Sequence, residues 1–222
     1  MSTATHSDGR EPARIVAATR LEYWAARIAA GGGRVERVGV GFTCVARHIT
    51  AKPVIACGLA GALVPDLAPG AILIPLEVAL TDGSRFACDP QLHRRLVDAA
   101  RSLGHEPRTE PILTAPGLVT GRARAEWAER GFIAADMESG HLARLGVPFA
   151  TVRAVLDTPA REISEQWLGT AALLRPALWV ELVWMAYRAP RYALIAARVA
   201  TAAVAGVGPP NTVPAGRRTE PP

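Results

Sequence analysis

Two carboxylates, Glu138 and Asp157, each fall at the end of a short apolar run. Phe132 to Ala135 reads as a buried strand, Met137 to Leu145 as a helix with a polar start, and Val147 to Leu156 as a second buried strand closed by Asp157. Strand, helix and strand in that order make a βαβ unit, and such units build parallel sheets by right-handed crossover. Open parallel sheets hold their ligands beyond the carboxyl ends of the strands, which is where both acids would stand. Carboxylates in such a place serve as general acids or bases. The structural alternative is that Glu138 favours the positive end of its helix and that Asp157 caps the turn before Thr158-Pro159.

The elements around this unit can be read from punctuation and periodicity. Arg14 to Thr19 is a first strand, and Arg20 to Ala30 follows at helical spacing until Gly31-Gly32-Gly33 stops it. Glu22 lies in the first turn of that helix, where a dipole or solvent role competes with any chemistry; Arg20, two residues earlier, reads as a surface residue. Val35 to Gly41 is a second strand and Phe42 to Ala51 a short crossover. Pro53 to Cys57 is an apolar strand that runs into the turn Gly58-Leu59-Ala60-Gly61-Ala62-Leu63, whose glycines permit close backbone approach to a ligand. Pro65 to Gly70 leads to the strand Ala71 to Pro75. Gln91 to Leu103 is an amphipathic helix, Pro111 to Thr120 is extended, and Gly121 to Arg130 is helical. Ala177 to Tyr187 is apolar on nearly every face, and a second helix runs from Pro190 to Ala205. No internal repeat occurs.

Composition narrows the class. A chain of 222 residues, half of them hydrophobic, supports one domain with a sizeable core. That domain spans residues 13–205, including a helical pair at 173–205; residues 1–12 read as a flexible leader and 206–222, rich in Pro and Gly, as a disordered tail. Lys52 is the only lysine, and the net charge of +5 is not gathered into a run, so a solvated basic surface is expected and no nucleic-acid groove. Cys44, Cys57 and Cys88 form no CxxC pair, which points to reduced thiols in the cytoplasm. The five histidines lack ligand spacing, so neither a metal nor another cofactor is expected. No apolar run approaches the ~20 residues of a membrane span.

The run Asp136-Met137-Glu138-Ser139, a helix, Val147-Pro148-Phe149 and then Val152-Arg153-Ala154-Val155-Leu156-Asp157 resembles the nucleoside phosphorylase and nucleosidase superfamily, which includes methylthioadenosine/S-adenosylhomocysteine nucleosidase. The resemblance implies a three-layer α/β/α fold with a central mixed, mostly parallel sheet. It implies that Asp157 protonates a purine at N7, that Glu138 accepts hydrogen bonds from the ribose hydroxyls with Met137 packed on the sugar, and that Glu22 activates water. Gly58-Leu59-Ala60 resembles the family's ribose and anion loop, and Val119 and Thr120 match its base-side segment. Breaking an N-glycosidic bond asks for this division: an acid for the leaving base and a carboxylate for the oxocarbenium-like sugar.

The chain departs from the family pattern in instructive places. Leu59 stands where relatives carry Ser or Thr, and Ala56 and Cys57 stand where hexameric phosphorylases place an arginine. A phosphate dianion needs charge-assisted donors, so water is the expected nucleophile. The crossover at 42–51 is trimmed, and the Glu138 to Asp157 spacing is about one helical turn shorter than in methylthioadenosine nucleosidase. The apolar residue at 59, the Asp-Met-Glu-Ser spelling and Leu174-Arg175-Pro176 ahead of two helices resemble the hopanoid-associated subgroup, which releases adenine from adenosylhopane. That likeness implies a lipid-linked purine nucleoside as partner. It also implies peripheral contact of residues 173–200 with the inner face of the membrane. A homodimer is expected by analogy. Two other readings stay open: a soluble methylthioadenosine/S-adenosylhomocysteine nucleosidase or purine nucleoside phosphorylase, and a non-catalytic binding protein on a decayed fold.

Overall fold

A computed structural model describes residues 13–33, 35–42, 52–164 and 179–206. The expected leader, most of the crossover (with Cys44), the Leu174-Arg175-Pro176 segment and the tail beyond 206 lie outside the described residues.

In chain order the strands are β1 (Arg14–Ala17), β2 (Val35–Arg37), β3 (Val54–Ala62), β4 (Ile72–Leu73), β5 (Glu77–Leu80), β6 (Arg85–Ala87), β7 (Ile112–Thr114), β8 (Ala134–Asp136) and β9 (Phe149–Asp157). The helices are α1 (Arg20–Ala29), α2 (Pro90–Ser102), α3 (Arg122–Glu129), α4 (Ser139–Ala143) and α5 (Trp179–Ala205). They flank a mixed, mostly parallel sheet, as expected for the α/β class.

The sheet is organised around β3. Its first half pairs in parallel with β1, which pairs in parallel with β2. Its other edge pairs in parallel with β9 over nearly its whole length. Beyond β1, Gly61 and Ala62 pair antiparallel with Ala135 and Ala134 of β8. From there β8, β7 and β5 run in parallel, and β6 closes the edge antiparallel to β5. Every residue of β9 is buried, as the apolar run from Val147 predicts.

This pairing corrects the expectation that β8 and β9 are parallel partners in one βαβ unit. Strand β3 lies between them and β8 opposes it, so the carboxyl ends of β3 and β9 meet the end of β8 from the other direction. Local patterning gives strand position but not partner, because the apolar run of each strand satisfies any buried neighbour.

Helix starts follow capping chemistry. Thr19 and Glu22 form a capping box at α1, and Asp89 accepts from the backbone of Gln91 and Leu92 ahead of Pro90 in α2. Two corrections concern helices. The helix expected from Met137 to Leu145 is only Ser139–Ala143. Asp136, not Glu138, caps it by accepting from the Ser139 N–H at 3.2 Å. The expected helical pair is one helix, α5, that passes through Pro190. Proline removes one rung of the ladder, but Ala189, Tyr192, Ala193 and Ala196 are buried and α5 packs on β3 and β9, which holds the helix through it. Gly70, at φ +88°, lies under the Tyr192 ring, where a Cβ would stand 2.9 Å from the ring edge.

Candidate active site

Gly58 to Ala62, expected as a turn, continue β3 as strand. The glycines serve side chains, not a bend. A Cβ on Gly58 would stand against both Arg153 Nη1 and Glu22 Oε1, and a Cβ on Gly61 would lie 2.8 Å from Asp157 Oδ1. The strand therefore has to lack side chains where three charged groups converge on it.

Glu22 is fixed twice. Its Oε2 accepts from the Thr19 N–H (2.9 Å) and hydroxyl (2.8 Å), and its Oε1 accepts from the Leu59 N–H at 2.8 Å. The capping role and a role at the sheet are thus not alternatives: the cap orients the carboxylate over β3. Arg20 next to it is exposed, as expected.

Arg153 is the centre of the next group, and it was not assigned a role from sequence. It is 1% exposed in the middle of β9. Its Nη2 lies 2.8 Å from Asp136 Oδ2, 3.0 Å from the Ser139 hydroxyl and 3.6 Å from Glu138 Oε2. Asp136 is satisfied further by the Thr114 hydroxyl at 2.6 Å and by Ser139 Oγ. Glu138 is different: it is buried, it makes no cap bond at α4, and its closest cation is Arg153. Burial pushes its carboxyl up to about 8, opposed by Arg153 and reinforced by Asp136 and Glu22. A carboxyl raised this far is mostly protonated at neutral pH, so it can both donate to and accept from sugar hydroxyls.

The raised Glu138 carboxyl has a consequence for stability. In the unfolded chain it would ionise near pH 4.5, whereas the folded protein keeps the proton until about pH 8. The folded state therefore binds more protons across that window, and its stabilising contribution, full below pH 4.5, is lost as pH rises through 8. Glu138→Gln should gain stability relative to the parent at pH 9 compared with pH 5, read from urea midpoints at the two pH values.

Asp157 sits at the end of β9, beyond an irregularity in the β3–β9 register. Ala60 pairs with Val155 but Gly61 pairs with Asp157, so Leu156 is an extra residue. Bulges of this kind re-aim side chains beside sites, and this one brings Asp157 over Gly61. Burial pushes the Asp157 carboxyl up, opposed by an ion pair with Arg124 of α3. Arg124 also donates to the Ala62 carbonyl and lies 3.1 Å from Glu162. A small cavity opens beside Asp157, lined by Gly61, Val119, Arg124, Ala135 and Met137 among others. Val119 and Met137 share this lining with Asp157; Thr120 is not among the lining residues.

The two groups form one site along β3. Glu22 and Arg153 meet at Gly58-Leu59, with Glu138 3.6 Å from Arg153, and Asp157, Arg124, Val119 and Met137 gather at Gly61. Among the described residues, no group of three or more His, Cys, Asp or Glu is arranged to hold a metal ion. Gly58→Ala should reduce activity at least about tenfold and lower stability by roughly 1–3 kcal/mol, since an added methyl overpacks two anchored side chains. Turnover and the urea midpoint of that variant check both.

A mixed, mostly parallel sheet thus brings Glu22, Glu138 and Asp157 around β3, with a small cavity beside Asp157. The phosphorylase superfamily profile matches residues 30–173, and the chain belongs to that superfamily. No curated protein matches its sequence. Among solved structures it is similar to futalosine hydrolase of Helicobacter pylori, at 16% identity and a TM-score of 0.68, over 87% of this chain and 97% of that one. It is similar to 5'-methylthioadenosine/S-adenosylhomocysteine nucleosidase from Neisseria meningitidis in complex with methylthio-immucillin-A, at 19% identity and a TM-score of 0.68, over 88% and 99% of the two chains. The same nucleosidase from Helicobacter pylori, with butyl-thio-DADMe-Immucillin-A, gives 16% identity and a TM-score of 0.69 over 90% and 100%.

Proposed function

We propose that the protein hydrolyses the N-glycosidic bond of a purine nucleoside and releases adenine, with a lipid-linked adenosine of the adenosylhopane type as substrate. The observation that carries this reading is that Glu22 and Asp157 both close on one strand, β3, with Glu138 reached through Arg153 and Asp157 beside a cavity. Asp157 donates a proton to N7 as the C–N bond breaks. Glu138 binds the ribose hydroxyls, donating to one and accepting from another. Glu22 takes a proton from the water that attacks C1′.

Water is favoured over phosphate by charge. An anion at the sugar would face Glu22, and the nearby Arg153 is already committed to Asp136 and Ser139. Leu59 offers only its main-chain N–H, and Glu22 holds that. A neutral water meets none of this repulsion.

The lipid substituent is favoured by α5. Trp179, Val180, Val183 and Tyr187 are exposed on its first half, and Arg161 stacks on Trp184 within 4.6 Å, so this surface adjoins the loop that follows Asp157. Aromatic and arginine side chains on an apolar helix face suit the headgroup layer of a cytoplasmic membrane surface. No helix among the described residues is long and apolar enough to cross a membrane. Liposome flotation tests peripheral contact; sedimentation equilibrium tests the homodimer expected by analogy.

The deciding experiment measures adenine release from adenosylhopane and from methylthioadenosine, each with and without phosphate. Release from the lipid alone, indifferent to phosphate, is expected. Release only from methylthioadenosine would assign a soluble nucleosidase, release only with phosphate would assign a phosphorylase, and release from neither would leave a binding protein.

A further inference from the structure

Arg124 is the only buried residue of α3, and all of its contacts lie at the acid end of the site. Nη1 donates to the Ala62 carbonyl at the end of β3, and Nη2 donates to Asp157 Oδ2. Nε lies 3.1 Å from Glu162 Oε1, yet it makes no aligned hydrogen bond there and is buried without a partner. Glu162, on the loop after β9, is itself held by the Gly121 N–H at 2.9 and 3.0 Å, so its carboxylate is fixed beside the guanidinium. One guanidinium is thus poised between two carboxylates, fully bonded to one and incompletely bonded to the other.

This arrangement bears on the proton. A carboxylate gripped by a guanidinium is ionised, and an ionised Asp157 has no proton to give. The groups facing Asp157 are Arg124 from α3, Glu162 behind it on the loop, the Ile163 N–H at 3.5 Å, and Asp136 across the cavity, which Arg153 neutralises. Of these, only Arg124 has a second acceptor within reach.

We propose that Arg124 is a positioning residue shared between Asp157 and Glu162, and that its lean toward Glu162 is what lets Asp157 carry the proton that the leaving base takes. This rests on the nucleosidase reading for its catalytic meaning. When the guanidinium shifts to Glu162, Asp157 Oδ2 takes a proton from solvent. The proton passes to N7 of the base as the electron pair of the C1′–N9 bond moves into the purine. Water supplies the new C1′–O bond and its proton goes to Glu22. The regenerated Asp157 carboxylate then takes Arg124 back. Glu162 keeps the guanidinium paired while it is away from Asp157, which an unpaired buried cation would resist strongly.

The test is a carboxyl ¹³C NMR titration of protein labelled at aspartate, with Asp157→Asn to assign the resonance, run beside the pH profile of kcat/KM for base release. Arg124→Gln should raise the Asp157 midpoint by about 1–3 units, since an opposite charge at this range lowers a carboxyl by that much. Glu162→Gln, on a partly exposed loop and expected to fold, should lower the midpoint, because Arg124 then has Asp157 as its only carboxylate. The alkaline limb of kcat/KM should move with each midpoint, upward in the first variant and downward in the second, and Arg124→Lys should restore part of the parent profile. In the double variant Glu162→Gln should have no further effect, because Glu162 acts through Arg124. A midpoint unmoved by Glu162→Gln, or moved equally with and without Arg124, would overturn the sharing. Midpoints that move as expected in a protein that releases no base would support the sharing and sink the nucleosidase reading instead.

Discussion

Asp157→Asn should lower kcat/KM for adenine release by at least about 10²-fold, within the ~10²–10⁴ that general acid catalysis contributes, while the protein stays folded. The fold should tolerate the change because an asparagine oxygen still accepts from Arg124, which also keeps the Ala62 carbonyl and Glu162. Gly61 leaves room for a side chain of the same size. What the amide cannot do is hand over a proton, so the departing purine must leave as an anion. The loss should therefore depend on the leaving group. A riboside of a good leaving group, such as a nitrophenol, needs no proton and should lose far less. Parent and variant rates on the two substrates, with a thermal melt of each protein, check this. An equal loss on both substrates would mean that Asp157 shapes the pocket and is not its acid.

Arg153→Met should cost roughly 3–5 kcal/mol of stability, the range for removing one partner of a buried ion pair. Methionine fills the space with apolar atoms, but it leaves Asp136 and Glu138 close together inside the sheet without a cation, Asp136 keeping only the Thr114 and Ser139 hydroxyls and main-chain N–H groups. Arg153 also opposes the upward push on the Glu138 carboxyl, so its removal pushes that carboxyl higher. The cost should accordingly be larger at pH 8 than at pH 5, because a carboxyl raised in the folded state loses its stabilising contribution as pH rises. Urea midpoints at the two pH values check the sign. Adding Asp136→Asn to the variant should recover a good part of the loss, since it removes the charge that Arg153 had been neutralising.

The sequence shows these groups unevenly. Asp157 is visible because a long apolar run ends on it, and Glu22 because it falls in the first turn of the helix that follows the first strand. Gly58 and Gly61 are visible as glycines but read as a turn. Their reason is tertiary: they make room for Arg153, Glu22 and Asp157, which come from other elements. Arg153 could have been flagged as a charge inside an apolar strand, which is admitted only with a buried partner. Nothing local names that partner as Asp136. Arg124 was hidden altogether. Its helix carries Arg122 two residues earlier, and the two look alike in sequence, yet the Arg122 side chain is 91% exposed and the Arg124 side chain 4%. The helical period alone does not choose between them, because α3 is polar nearly all round. The meeting of β8 and β9 across β3 is likewise a matter of partner choice, which strand patterning leaves open.

The grip of the Leu59 main chain on Glu22 bears on how this protein would look in a saturation mutagenesis screen. Every amino acid except proline carries the N–H that does the holding. Position 59 should therefore register as permissive, accepting polar and apolar replacements alike, although it orients Glu22, the group proposed to activate water. The intolerance should appear one residue earlier, at Gly58, where the chain needs an absence and not a donor. A library scored by side chain would thus draw the boundary of the site one position off, and only a backbone change at 59, proline or an amide-to-ester replacement, would reveal what that residue contributes.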